Sequence, residues 1–281
     1  MDNIMDKLRE KGILERSVVR AEKLKGGTAS TVYALYDGGK PVYALKLNDP
    51  ATVEAEFRFL SAYAGSPLLP QPVYADPGFR YFVYRYLPGD TVYRRGGKRG
   101  MLTGLVDSLI NRYKRFESCE GYGHVDSPQP SWRAFLHSRE EWALETIADR
   151  LPEDDHRLVR QFIASTAANS LPRYYLHGDC GVHNFLFGGG KLTGVIDPTP
   201  VAGEPMYDLI YAFCSSPDDL DEDTFQSAVS RLDPRLYVPG RLNEEVLTGL
   251  YFRIATCLFH HPHDYAEYAK AWEYWKSRAG A

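Results

Sequence analysis

Leu176-His177-Gly178-Asp179-Cys180-Gly181-Val182-His183-Asn184, with Val195-Ile196-Asp197 placing a second Asp thirteen positions after the Asn, decides how this chain is read. Two carboxylates and a carboxamide stand at the spacing that phosphoryl transfer onto a hydroxyl requires. One carboxylate has to lie beside the incoming hydroxyl and accept or orient its proton, while the other and the amide hold Mg²⁺ against nucleotide phosphates. Asp179 fits the first part, Asn184 and Asp197 the second. Between them, Asn184 to Phe187, then Gly188-Gly189-Gly190, then Leu192 to Ile196 predict strand, turn and strand. Such a hairpin returns Asn184 and Asp197 to the same end. An Asp and an Asn in a loop can also serve only as caps or Asx-turns, so the assignment depends on its surroundings.

The succession His-Gly-Asp, four residues, Asn, hairpin, Ile-Asp resembles the aminoglycoside phosphotransferase family, the small-molecule branch of the kinase fold. The resemblance is strong from Tyr175 to Asp219 and loose between Gly89 and Pro172. It implies an α+β, two-lobed, protein-kinase-like fold: a small antiparallel-sheet lobe with one helix, then a larger, mainly helical lobe. Two departures separate the chain from protein kinases. Gly181 stands where Ser/Thr kinases carry a lysine, and Pro198-Thr199-Pro200 follows Asp197 where they have Phe-Gly. The resemblance also implies that Asp208, in Tyr207-Asp208-Leu209, ties down the catalytic loop through its backbone donors, and that His177 orders the same loop. His183 is read as packing or solvent-facing, because Asp179 already supplies a base.

Working back toward the N-terminus, residues 1 to about 12 look helical, and Ser17–Leu24, Thr31–Tyr36 and Pro41–Leu47 read as strands. Asp37-Gly38-Gly39 is a hairpin turn between the last two. Ala51–Tyr63 carries Val53, Phe57, Leu60 and Tyr63 at helical spacing, and Val73–Ala75 and Tyr81–Tyr86 return to strand character. A kinase reading needs a strand-borne cation for the phosphates and a helix-borne carboxylate to hold it. Lys46, in Val42-Tyr43-Ala44-Leu45-Lys46, supplies the first. Glu56 is the better partner, since Glu54, two residues away, faces another side of the helix. A surface Lys and Glu would read the same on this segment alone. In Leu24 to Tyr33, Gly26 and Gly27 let the backbone approach an anion, and Thr28 and Ser30 can donate to phosphate oxygens. Leu87-Pro88-Gly89-Asp90 breaks the pattern, so the expected organisation is a nucleotide-binding lobe over 1–86, a hinge over 87–90 and a helical lobe over 91–281.

The helical lobe is foreshadowed by two apolar stripes, Leu102, Leu105, Val106, Leu109, Ile110, Tyr113 and Phe116, then Trp132, Phe135, Leu136, Ala143 and Ile147. The whole chain of 281 residues carries a net charge of −4, which argues against general nucleic-acid binding. Only Arg94 to Arg99 is locally basic. No apolar stretch approaches the roughly twenty residues that span a bilayer, and the acidic N-terminus lacks the segments of a signal peptide. Cys119, Cys180, Cys214 and Cys257 form no Cys-x-x-Cys pair, so we expect a cytoplasmic protein without a structural metal. Cys180 is read as a small buried residue and not a nucleophile.

The expected donor is ATP or GTP with Mg²⁺. As the resemblance implies, the backbone C=O of Arg85 and N–H of Leu87 would pair with the purine edge, and Tyr84 would stand at the back of the base pocket and favour guanine nucleotides. The expected acceptor is a hydroxyl of a small, cationic molecule, an aminoglycoside or similar amino-sugar compound. Choline, a sugar or an amino alcohol is the alternative acceptor, and a silent nucleotide-binding module the alternative function. The cationic acceptor rests on Asp218 and Asp219, which fall where the resemblance implies an amine-binding acidic pair. Five acidic residues occupy six positions from Asp218 to Asp223, and such a run can equally favour the start of the next helix.

Overall fold

The computed structural model describes residues 1–24, 30–117, 121–166 and 172–280. Gly26, Gly27, Thr28 and Cys119 therefore lie outside the described residues. After helix α1 (Asp2–Glu10), strands β1 (Val18–Lys23), β2 (Thr31–Asp37) and β3 (Lys40–Leu47) lead to helix α2 (Pro50–Ala62), then β4 (Pro72–Ala75) and β5 (Tyr81–Arg85). They form an antiparallel sheet in the order β1-β2-β3-β5-β4. Gly38 and Gly39, at φ of +52° and +94°, make the tight β2–β3 turn where side chains with a Cβ would be strained. Asp49 caps α2 by accepting from the Thr52 amide at 3.0 Å, with Pro50 at the first helical position.

The period-2 alternation of the central strands sorts the sheet into two faces. Tyr43, Leu45, Tyr81 and Val83 pack with Met5, Leu8 and Leu14 around α1. Ala44, Phe82 and Tyr84 join α2 and the core of the rest of the molecule, and Lys46 follows their phase. That phase puts a lysine on the buried side of the sheet, facing the helix that carries Glu56.

Past the linker the chain is mainly helical: α3 (Lys98–Ser108), α4 (Trp132–Ile147), α5 (Glu153–Ser165), α6 (Met206–Cys214), α7 (Glu222–Val229), α8 (Leu242–His260) and α9 (Tyr265–Ala279). Short strands β6 (Gly123–His124), β7 (Tyr174–Leu176) and β10 (Val201–Gly203) make one small sheet, and β8 (Phe185–Gly188) with β9 (Lys191–Val195) makes the hairpin. An antiparallel sheet region followed by a helical region is the fold expected from the sequence. The stripe from Leu102 to Phe116 is not one helix, however. Helix α3 stops at Ser108, and Phe116 is extended, donating its amide to Arg173 O and stacking on Tyr175 with ring centroids 4.1 Å apart. Breaking the helix there brings Tyr113 under the catalytic loop, a tertiary contact that periodicity cannot register.

The two regions meet tightly. Tyr63, at the end of α2, donates its hydroxyl to Tyr175 O and accepts from the Lys114 amide at 2.9 Å, and the Leu68 carbonyl accepts from Val195 N at 2.7 Å. Asp90 and Phe187 exchange backbone hydrogen bonds of 2.9 and 2.8 Å, which stitches the linker to the hairpin. Gly89, at φ +147°, lies where a Cβ would come within 2.9 Å of Leu186 Cβ, so the close approach depends on glycine.

Candidate active site

Beneath the sheet, Lys46 Nζ donates to Glu56 Oε1 at 2.5 Å and lies 3.1 Å from Asp197 Oδ1. Burial alone would favour the neutral amine, but the Glu56 and Asp197 carboxylates outweigh it and keep Lys46 protonated. Burial also pushes the Glu56 carboxyl up, to about 7 against the pull of Lys46. Glu54 instead pairs with Arg58 at 2.5 Å on the outer face of α2. A buried cation between two carboxylates contributes little net stability. It does hold a buried positive charge ready beside the partly exposed Asp197.

The loop between β7 and β8 is held from below. Asp208 accepts from the amides of His177 at 2.9 Å and Gly178 at 3.0 Å, and from the Tyr113 hydroxyl at 2.6 Å. Its burial pushes the carboxyl up to about 6, against these three donors. His177 is fully buried, with Nε2 3.0 Å from Ile196 O and Nδ1 3.3 Å from the Asp179 amide. Both contacts are satisfied by a neutral ring protonated on Nε2, and burial lowers its pKa to about 4. One imidazole thereby ties the backbone of Asp179 to that of Ile196, next to Asp197. Gly178 has φ +81°, and a Cβ there would sit 1.9 Å from Thr199 O, so only glycine fits between the two strands of the site.

Asp179 is the carboxylate the loop presents. Burial would raise its pKa, but His183 and the Tyr211 hydroxyl outweigh that and hold it at about 2. His183 Nε2 lies 3.2 Å from Asp179 Oδ2. Asn184 directs its amide nitrogen to Asp179 Oδ2 at 2.8 Å and to Asp179 O at 3.1 Å. Ile196 N donates to Asn184 O at 2.9 Å as the hairpin closes, which brings Asn184 back beside Asp197. Asp197 has φ +55°, an uncommon conformation that Asp tolerates better than most residues.

On the sheet side, Tyr84 is buried against Phe82, and burial raises its phenol above the ordinary range. The Arg85 and Tyr86 amides are taken up by the carbonyls of Gln71 at 2.8 Å and Val42 at 3.0 Å. Leu87 follows as the chain leaves the sheet, and Ser30 is partly buried just before β2. Cys180 is wholly buried, and its thiol is pushed far above the ordinary value by burial, unlike a nucleophile.

On the far side of Asp179, a cavity opens between α4, α6 and α8. Tyr211 lines it and also faces Asp179, and Arg139, Arg241 and Arg253 share its walls with aromatic side chains and Glu204 and Glu245. A concave, mostly apolar space with a few convergent polar groups is the usual form of a small-molecule site. The acidic run lies elsewhere. Asp218 Oδ2 accepts from the Tyr93 hydroxyl at 2.8 Å and the Gly96 amide at 3.0 Å, beside buried Lys98. Asp221 caps α7 through the Thr224 amide at 2.8 Å, and Asp219 is exposed at φ +47°.

Residues 20–258 match the phosphotransferase enzyme family. The chain belongs to that family. No curated protein matches it. Among solved structures, a thermostable mutant of aminoglycoside phosphotransferase APH(4)-Ia in complex with ADP and hygromycin B is similar at TM-score 0.63 and 18% identity, covering 99% of this chain and 98% of that one. A choline/ethanolamine kinase family protein from Mesorhizobium loti is similar at TM-score 0.59 and 18% identity, with 98% and 93% coverage. A putative fructosamine-3-kinase from Thermobifida fusca gives 0.61 and 17%, with 100% of both chains covered. At these identities the likeness establishes a shared fold.

Several residues that shape the site of this family member were not singled out from sequence, among them Tyr211, which stands between Asp179 and the cavity. His183, read as packing or solvent-facing, is exposed, and its ring also touches Asp179. Arg139 and Arg253 carried a usable signal: each interrupts an apolar helix face, between Leu136 and Ala143 and between Leu250 and Ile254.

Proposed function

We propose that this protein transfers the γ-phosphoryl group of ATP or GTP to a hydroxyl of a small molecule bound in the cavity between α4, α6 and α8. The observation that carries the proposal is Asp179, held ionised at about 2 at the junction between that cavity and the Lys46–Asp197 group. In this reading Asp179 accepts or orients the proton of the acceptor hydroxyl as the oxygen–phosphorus bond forms. Lys46, kept charged by Glu56, neutralises phosphate oxygens. Ser30, just before β2, donates to the phosphates, while Arg85 C=O and Leu87 N–H meet the base and Tyr84 backs it. Residues 87–90 act as the hinge between lobes.

Among the described residues no group of three or more His, Cys, Asp or Glu side chains is arranged to hold a metal alone. That suits Mg²⁺, which keeps waters and phosphate oxygens and takes only one or two protein ligands. Asn184 and Asp197 fit this role, because the Asn184 amide nitrogen is spent on Asp179 and its oxygen is left for other partners. Bound there, the metal would offset phosphate charge.

An aminoglycoside acceptor is the second reading, favoured by the likeness to the hygromycin B complex. Asp218, assigned to amine binding in that reading together with Asp219, directs Oδ2 to Tyr93 and Gly96, while its buried Oδ1 has no hydrogen-bond partner among the described residues. The test is incubation with Mg²⁺ and ATP or GTP against a panel of hydroxyl compounds, following nucleoside diphosphate and the mass of a phosphorylated product. Turnover of one acceptor that disappears in Asp179→Asn supports the proposal. Nucleotide binding with no transfer to any acceptor class would favour a silent module.

A further inference from the structure

Three of the seven buried side-chain polar atoms that lack a hydrogen-bond partner among the described residues line one cavity: Arg139 Nε, Tyr207 Oη and Glu245 Oε2. Buried polar groups are ordinarily paired, and convergence of the exceptions on one space points to a ligand that completes them. The charge of the space is as informative. Arg139 and Arg253 line it, and neither makes a salt bridge among the described residues, whereas Arg241 is engaged by Glu244 at 3.3 Å and by Thr166 Oγ1 at 2.8 Å. The Arg139 guanidinium lies 5.2 Å from the Phe252 ring centroid and 5.7 Å from that of Tyr207, an aromatic setting that fixes its plane and limits its hydration. Arg253 spends Nε on the Tyr268 hydroxyl at 2.9 Å, leaving its other nitrogens for a ligand. Cationic acceptors would have to enter beside these guanidiniums.

Resting on the phosphotransferase reading above, we infer that the acceptor is a hydroxyl compound bearing an anionic group, a carboxylate or a phosphate, which Arg139 and Arg253 hold while the hydroxyl reaches past Tyr211 to Asp179. Planar guanidiniums suit the paired oxygens of either anion. Of the two carboxyls of the cavity, Glu245 does not add to the negative charge that offsets these guanidiniums. Burial, with Glu204 alongside, pushes Glu245 up to about 8, so it is mostly protonated at neutral pH. Its proton and the Tyr207 hydroxyl are then donors for the same oxygens. At Gly249 a Cβ would fall 2.1 Å from Ile210 Cγ2, so α8 lies hard against α6 at the wall of the cavity.

The experiment uses the full chain with Mg²⁺ and ATP or GTP on acceptors that differ in charge. Glycerate and glycerol 3-phosphate are the carboxylate and phosphate arms, glycerol the neutral one, and ethanolamine, choline and an aminoglycoside the cationic ones. Thermal stabilisation by the two anions is measured in parallel without nucleotide. We expect an anionic acceptor to have the highest kcat/KM and to raise the melting temperature. Arg139→Gln and Arg253→Gln should each raise its KM by about tenfold or more with nucleotide KM unchanged, Lys at either position restoring part of the loss. A neutral or cationic acceptor with equal or higher kcat/KM would overturn the inference while leaving the reaction intact. So would anions that neither bind nor react, or Gln variants that are folded by circular dichroism and bind anions as the wild type does. Arg-dependent anion binding without transfer to any acceptor would instead support the site and count against the reaction.

Discussion

His177 makes two contacts that only a neutral ring satisfies together, and this couples the site to pH. The unfolded chain protonates it near the ordinary 6.5, whereas the folded protein resists until about 4. The stabilisation is therefore fully present above pH 6.5 and is lost as pH falls toward 4, a contribution of about 3 kcal/mol. Asp208, raised to about 6, works in the opposite direction over much of that range, so the wild-type curve alone does not isolate His177. Denaturant unfolding of wild type and His177→Asn at several pH values between 7 and 4 does. The variant should be less stable at pH 7 and lack the His177 component of the slope, and parallel curves would contradict this account. At the proposed metal position, Asp197→Asn should weaken Mg²⁺-nucleotide binding by about tenfold or more, read by calorimetric titration with and without Mg²⁺. Residue types and spacing alone brought Asp179, Asn184 and Asp197 into view, because phosphoryl transfer tolerates few substitutes. His183 is solvent-facing as one of its two readings had it, but its contact with Asp179 depends on how the loop turns, which four positions of spacing do not specify.

At the scale of elements, the glycines separate backbone necessity from mere flexibility. Gly178→Ala should cost about 3 kcal/mol or more, since its left-handed conformation and the Thr199 carbonyl 1.9 Å from the added carbon both oppose it. Gly100→Ala, within α3 and with nothing within 4 Å of the new methyl, should stabilise by ~0.5–1 kcal/mol. Thermal unfolding of both variants tests the pair, and equal shifts would contradict the geometry. Strand β5 carries the nucleotide prediction: if Tyr84 backs the base as proposed, GTP should serve at least comparably to ATP, and Tyr84→Ala should move preference toward ATP. Steady-state kcat/KM with both nucleotides decides it, a strong ATP preference unaltered in the variant being the contrary result. Alternation in β3 and β5 and the helical spacing of α2 made this sheet legible before any coordinates. The end of α3 was not, because Tyr113 leaves the helix to satisfy Asp208, a partner 95 positions away. Nor was the small sheet β6-β10-β7, whose strands of two or three residues are too short to carry a period.

For the whole molecule, the arrangement divides labour across one junction. The sheet and α2 supply a buried cation, the hairpin returns Asn184 and Asp197 to it, and Asp179 contacts both Asn184 and, toward the helical cavity, Tyr211. The acceptor's charge is where two readings part. A run of acids is conspicuous in one dimension, and in it Asp218 Oδ2 takes Tyr93 and Gly96 while Asp221 caps a helix, whereas the guanidiniums of the cavity come from helices more than a hundred residues apart. The central claim is that Asp179 serves the acceptor hydroxyl and not the nucleotide. It is tested most directly by measuring, on wild type and Asp179→Asn, both Mg²⁺-nucleotide affinity and the turnover of the best acceptor from the panel. The account predicts nucleotide affinity within about twofold of wild type, with turnover lowered by roughly 10²-fold or more. Retention of about half of the wild-type turnover in the variant, or loss of nucleotide binding in step with activity, would contradict it.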